Sequence, residues 1–176
     1  MITITVEKFA DCWDDIVTLA KAHWEESMQW QHGHQPFNPS KERYQAYEDA
    51  GCLVLFVVRD DGRYAGHGIM YVTPSMHTQA LIATEDLMFL LPEYRKGGIG
   101  RKLYKFVEDT MWAMGVTEIS VTAKPNSPAS KLLESLGCTL VDLVYSKHAS
   151  RADSAIPPDA VTENPSDVCA VRPESN

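Results

Sequence analysis

The residues with the clearest chemical potential lie between 85 and 101. Glu85 and Asp86 head an apolar run, Leu87-Met88-Phe89-Leu90-Leu91, which stops at Pro92 and leads through Glu93-Tyr94 into Arg95-Lys96-Gly97-Gly98-Ile99-Gly100-Arg101. From there Ile99, Leu103, Phe106, Val107, Met111 and Met114 recur at helical spacing. A strand therefore runs into a glycine-rich turn that opens directly into a helix. The first-turn amides of a helix have no internal acceptor, and the helix dipole adds to their pull on an anion. Glycines let a phosphate come close to the backbone. Five bases, Arg95, Lys96, Arg101, Lys102 and Lys105, stand within residues 95–105. The plainer reading is a tight strand-to-helix turn that needs glycine for its angles. Spacing, the adjoining strand and the local charge together favour phosphate binding. A Walker loop does not fit, because Arg101 and Lys102 follow Gly100 where Lys-Ser/Thr is required. The GxGxxG dinucleotide fingerprint is also absent.

Further chemistry-bearing side chains are sparse. His32 and His34 sit two apart in a Gly- and Pro-rich loop, too few for a metal site, and none is expected. Cys12, Cys52, Cys138 and Cys169 show no CxxC spacing or grouping with histidine, so four reduced packing thiols are expected.

The elements that must hold these residues follow from periodicity and punctuation. Thr3–Val6 reads as a strand and Asp11–Trp30 as a helix. Ser40 can cap a short helix through Asp49. Cys52–Arg59 and Ala65–Val72 read as strands joined by the turn Asp60-Asp61-Gly62-Arg63, followed by a strand over Ala80–Leu91. The helix after Gly98 ends near Met114, with Gly115 as its stop. Thr117–Ala123 is a strand, a helix beginning at Asn126 or Ser127 ends near Leu136-Gly137, and Thr139–Lys147 is a last strand. The fold class is α/β, a mixed, mostly antiparallel sheet flanked by helices.

One domain over residues 1–149 is expected, followed by a Pro-rich, acidic tail over 150–176, flexible or draped over the domain. The net charge of −8 argues against a nucleic-acid partner. Residues 1–80 hold eleven acids against six bases, which favours a cationic substrate such as an amine, or simply keeps the protein soluble. No apolar run approaches the roughly 20 residues a membrane span needs. The opening Met1–Glu7 lacks the features of a secretory signal. A cytoplasmic protein without a membrane partner is expected, and a homodimer is left open.

At Arg95, Gly98 and Gly100 the chain resembles the GNAT superfamily of acyl-CoA-dependent N-acetyltransferases, whose signature is Arg/Gln-x-x-Gly-x-Gly/Ala. Asn126, Ala129 and Leu136-Gly137 resemble the second landmark of that family, and the likeness spans about residues 1–147. The resemblance implies acetyl-CoA as acyl donor and a primary amine, on a small molecule or a protein, as acceptor. It implies that the amides of Lys96 through Arg101, Gly97 and Ile99 included, hold the pyrophosphate. It also implies that the backbone of Met88, Phe89 and Leu90 pairs with the pantetheine arm, which Asn126 touches as well. A splay between the strands ending near Leu91 and beginning near Thr117 would receive the cofactor. The family's base shares a strand face with Met88 and Leu90; simple alternation then selects Asp86, with Glu85 second. Trp24, His32 and His34 fall where the family shapes its acceptor site. Leu133 stands where many members have a proton-donating tyrosine. Tyr145, another group or water must serve the leaving thiolate, or the protein binds CoA with weak catalysis or none.

Overall fold

The computed structural model describes residues 1–32 and 35–148. Among these residues, five strands form one sheet in sequential order: β1 (Ile2–Glu7), β2 (Leu53–Asp60), β3 (Arg63–Pro74), β4 (Leu81–Leu90) and β5 (Glu118–Ser120). β1 to β4 are antiparallel, and β5 lies parallel to β4. α1 (Phe9–His23) and α2 (Lys41–Asp49) precede β2; α3 (Ile99–Ala113) links β4 to β5, and α4 (Pro128–Ser135) follows.

Strand alternation divides the core in two. Leu53, Leu55 and Val57 of β2 face Phe9, Cys12, Ile16 and Leu19 of α1. Phe56 and Val58 face Leu103, Val107 and Met111 of α3. Burying each such side chain contributes about 1.5–3 kcal/mol, so the sheet is clamped from both faces. α2 is mostly polar, and Tyr44 and Tyr47 are the side chains that pack it onto the α1 layer. Its start is fixed by Ser40, whose Oγ accepts from the Arg43 amide at 3.2 Å.

Two local features depart from simple periodicity. The helix expected over 11–30 keeps its α geometry only to His23, then widens into a π-helical turn, Trp24–Met28, and tightens into a 3₁₀ turn, Gln29–His32. In β4 the register with β3 slips: Leu87 opposes Ile69 and Glu85 opposes Met70, which leaves Asp86 as the extra residue of a bulge.

The strand expected over Thr139–Lys147 does not form. Leu140, Val141, Leu143, Val144 and Tyr145 lie exposed and outside the sheet. Their β propensity is high, but a strand needs a partner edge, and β5 offers only three paired residues. Cys12 and Cys138 are free, whereas Cys52 is disulfide-bonded, which corrects the expectation of four reduced thiols. Sequence spacing does not reveal a pairing made through space. The expected tail at 150–176 lies outside the described residues. Among the described residues, no helix is long and apolar enough to cross a membrane.

Candidate active site

The glycine turn is built from backbone conformations that other residues resist. Gly97 and Gly98 both have left-handed φ, 69° and 76°. A Cβ on either would meet nothing within 4 Å, so the space above them is open. Gly98 caps α3, and the first amide with an intrahelical acceptor is that of Lys102, bonded to the Gly98 carbonyl at 3.0 Å. The amides of Ile99, Gly100 and Arg101 therefore face outward without an intrahelical partner. Gly100 serves packing instead, since a Cβ there would stand 3.4 Å from Leu132 Cδ2 of α4.

The bases around the turn divide by task. Arg101 donates to Ser135 Oγ at 2.7 Å, and Lys105 pairs with Glu108 and Asp109 on its own helix. Arg95 donates from Nε to the Leu90 carbonyl at 2.9 Å and reaches Glu26 with both terminal nitrogens. Its guanidinium also lies over the Phe89 ring, 5.0 Å from the centroid. Lys96 and Lys102 are exposed beside the glycines.

Beside the turn, the sheet opens. β5 pairs with β4 only at Ile82, Ala83 and Thr84. Beyond Thr84, β4 has no strand on that side among the described residues. The Leu91 amide bonds to Ala65 on β3, so alternation turns the backbone groups of Leu90 and Met88 toward the open side and those of Phe89 toward β3. The Leu90 carbonyl is already taken by Arg95. Glu85 sits where the strands part. Its carboxylate accepts from the Thr122 amide at 2.7 Å and the Thr122 hydroxyl at 3.0 Å. Burial pushes its pKa up, and those two bonds pull it down.

The bulge decides where Asp86 points. Met88 and Leu90 pack on the α3 side, while Leu87 and Phe89 join the α1 side. Asp86 lines a cavity with Leu87 on the α1 side. Asp86 and Met88 therefore do not share a face, and the alternation that selected Asp86 breaks at Asp86 itself. The carboxylate accepts from the Tyr44 hydroxyl at 2.8 Å and from that of Tyr71. Burial pushes its pKa above the usual aspartate range, against both tyrosine bonds. Burial likewise raises the Tyr44 hydroxyl, which stays a donor.

The cavity measures about 290 Å³. Trp13, Ile16, Val17 and Ala20 of α1, Trp24 and Met28 of the π turn, and Phe37 of the following loop form one side of its wall. Trp24 and His32 stack at 4.6 Å, and both line it. The structure thus brings Trp24, His32 and Asp86 together; His34 lies outside the described residues. Asn126 is exposed, with left-handed φ of 61°, in the turn before α4. Tyr145 is 89% exposed on the unpaired segment. Among the described residues, no three His, Cys, Asp or Glu side chains converge as a metal set.

Sequence reasoning missed Tyr44, Tyr71 and Glu26. A signal existed for the first: Tyr44 and Tyr47 are the only large apolar side chains on the otherwise polar helix Lys41–Asp49, three apart and so on one face. Tyr71 and Glu26 depend on the bulge and the π turn, neither of which leaves a periodic trace.

Comparison with known proteins follows the same lines. Among curated proteins there is no match. Among solved structures, an aminoglycoside acetyltransferase from an uncultured soil metagenomic sample, in complex with trehalose, superposes with a TM-score of 0.67 at 17% identity, covering 85% of this chain and 95% of that one. AAC(6')-Iy in complex with a bisubstrate analog, CoA-S-monomethyl-acetylneamine, gives 0.64 at 18% identity over 85% and 99% of the two chains. Glucosamine-6-phosphate N-acetyltransferase from Arabidopsis thaliana gives 0.65 at 14% identity, again over 85% and 99%. These likenesses establish a shared fold. The model of the acetyltransferase (GNAT) family matches residues 13–138, well over half the chain and including the glycine turn, so this protein belongs to the GNAT acetyltransferase family.

Proposed function

We propose that the protein transfers the acetyl group of acetyl-CoA to a primary amine by direct attack. The observation that carries this reading is the juxtaposition at β4. The edge of residues 85–90 is open beside an anion-binding turn, and at the same place Asp86 projects into a cavity. Outward amides at Ile99, Gly100 and Arg101, with Lys96 and Lys102 nearby, suit a pyrophosphate. The Met88 backbone and the Leu90 amide suit a pantetheine arm laid along the strand. Asn126 and the backbone of Arg95 and Gly97 complete that wall. Bound there, acetyl-CoA supplies an activated acyl thioester.

The remaining chemistry falls to the chain. An alkylammonium is mostly protonated near neutral pH, so it must lose a proton before or during attack. Asp86 takes that proton directly or through water, held in place by Tyr44 and Tyr71. Glu85, engaged by Thr122, holds the opening of the strands and is the second candidate base. As the amine nitrogen bonds to the acyl carbon, the carbon–sulfur bond breaks and the thiolate leaves with the electron pair. A proton then returns to sulfur from water or from a tyrosine such as Tyr145.

A second reading, a CoA-binding protein with weak or no catalysis, is favoured by Leu133 on α4 and by the exposure of Tyr145. Incubation with acetyl-CoA and an amine panel, following free thiol, separates the two. Amine-dependent thiol release is expected. Thermal stabilisation by CoA with no release from any amine would establish the second reading instead.

A further inference from the structure

We infer that the acceptor is a small monoamine carried on a flat apolar body, of the arylalkylamine type, rather than a polycation or a sugar. This rests on the acetyl-transfer reading and concerns only the acceptor side of β4. Asp86 is the one charged side chain among the described lining residues. One ammonium can pair with it. A second or third would lose its hydration in the cavity and find no anion, which is costly for a buried charge.

The rest of the wall rewards apolar surface. Trp24 and Phe37 lie with ring centroids 5.8 Å apart and planes tilted by 50°, a geometry that presents aromatic faces and edges to a planar guest. Ile16 and Val17 add aliphatic contact beside them. A sugar ring would bring several hydroxyls against these side chains, where His32 and Asn38 are the polar groups left among the described lining residues once Tyr44 has donated to Asp86. The volume of about 290 Å³ suits a small molecule of this kind and lies just below the roughly 300–1,000 Å³ range of drug-sized ligand sites.

The test pairs binding with turnover. Calorimetry of the protein alone against 2-phenylethylamine, hexylamine, spermidine, kanamycin and glucosamine 6-phosphate reads the cavity without any acyl donor. Binding of 2-phenylethylamine at least tenfold tighter than of spermidine or kanamycin is expected, and a similar order in kcat/KM when acetyl-CoA is added. Phe37→Ala, on the loop before α2, should weaken 2-phenylethylamine about tenfold and leave acetyl-CoA affinity unchanged. Tighter binding or faster turnover of spermidine, kanamycin or the sugar phosphate overturns the inference while acetyl transfer stands. Failure of acetyl-CoA to bind would instead remove the reading beneath it, and the binding order of the amines would still decide the cavity's preference. No binding by any of the amines also overturns it.

Discussion

The Arg95 guanidinium grips the Glu26 carboxylate with both terminal nitrogens, each at 2.7 Å, and so ties the glycine turn to the π-helical turn that walls the cavity. The contact is bidentate, the strongest geometry such a pair has. It lowers the Glu26 pKa and raises that of Arg95, each chiefly through this hydrogen bond. The two side chains are nonetheless 40% and 46% exposed, so solvent screens the pair and its removal should change stability by less than about 1 kcal/mol. Its worth is positional. Glu26→Gln should raise the amine KM several-fold while acetyl-CoA affinity shifts less than twofold. Equal losses on both substrates, or on neither, would show that the pair does not position the acceptor wall.

Asp86 and Tyr44 make a second prediction, on rate and pH. Asp86→Asn keeps a hydrogen-bonding group opposite Tyr44 but removes the base, and turnover should fall by about 10²-fold or more with CoA affinity spared. The base acts in its ionised form, so kcat/KM should decline as pH falls through the Asp86 pKa, which burial holds above the ordinary aspartate range. Tyr44→Phe retains the ring stacked on Phe9 at 5.2 Å and loses a bond that favours the carboxylate. The acid limb should then move to higher pH by about one unit, the equivalent of roughly 1.4 kcal/mol. A pH profile unmoved by Tyr44→Phe would separate Asp86 from the titration that controls rate.

The boundary between what was legible in the chain and what was not runs through these same residues. Turns that demand left-handed backbone announce themselves: Asp61 and Gly62, then Gly97 and Gly98, all have positive φ and all stand where glycine and its neighbours predict a turn. Ser40 behaves as its position suggests. The amphipathic stripe of α3 leaves no ambiguity about which face it buries. Bulges and π turns are different, because each inserts a residue without altering composition. The alternation that points to Asp86 is cancelled by the bulge at Asp86. The apolar residues from Leu140 to Tyr145 show the converse failure: local propensity is satisfied, but pairing is a property of two segments, and among the described residues no second strand pairs with them.

A stability prediction follows from His67, fully buried on β3. Its Nδ1 lies 3.2 Å from the Tyr64 hydroxyl, while its Nε2 has no hydrogen-bond partner among the described residues. Burial pushes its pKa from 6.5 down to about 3. The unfolded chain therefore binds a proton below pH 6.5 that the folded chain refuses. Stability is full above pH 6.5 and is lost as pH falls toward 3. The loss should be about 2 kcal/mol between pH 6.5 and pH 5. Denaturant midpoints measured across that window should decline for the native chain and flatten in His67→Phe. A slope unchanged by the substitution would assign the acid sensitivity in that window to another group, with His23 next in line, since burial lowers its pKa as well; the Glu7–Arg59 pair, with Glu7 held down at about 2, loses its contribution only below the ordinary glutamate value of 4.5.

The glycine turn separates backbone cost from ligand cost. Gly98→Ala meets no atom within 4 Å, so its penalty is conformational, about 1–2 kcal/mol for a side chain at left-handed φ, and should appear as a lowered melting temperature. Cofactor affinity should fall only modestly. Gly98→Glu carries the same backbone penalty and adds negative charge where the phosphates belong. It should abolish CoA binding at concentrations that saturate the alanine variant. Gly100→Ala provides the contrast: its φ is ordinary, the new methyl group touches Leu132 at 3.4 Å, and alanine gains about 1 kcal/mol of helix propensity over glycine. That variant should keep both stability and CoA affinity. If Gly98→Glu and Gly98→Ala bind CoA equally well, the anion sits elsewhere and the open turn is only a bend in the chain.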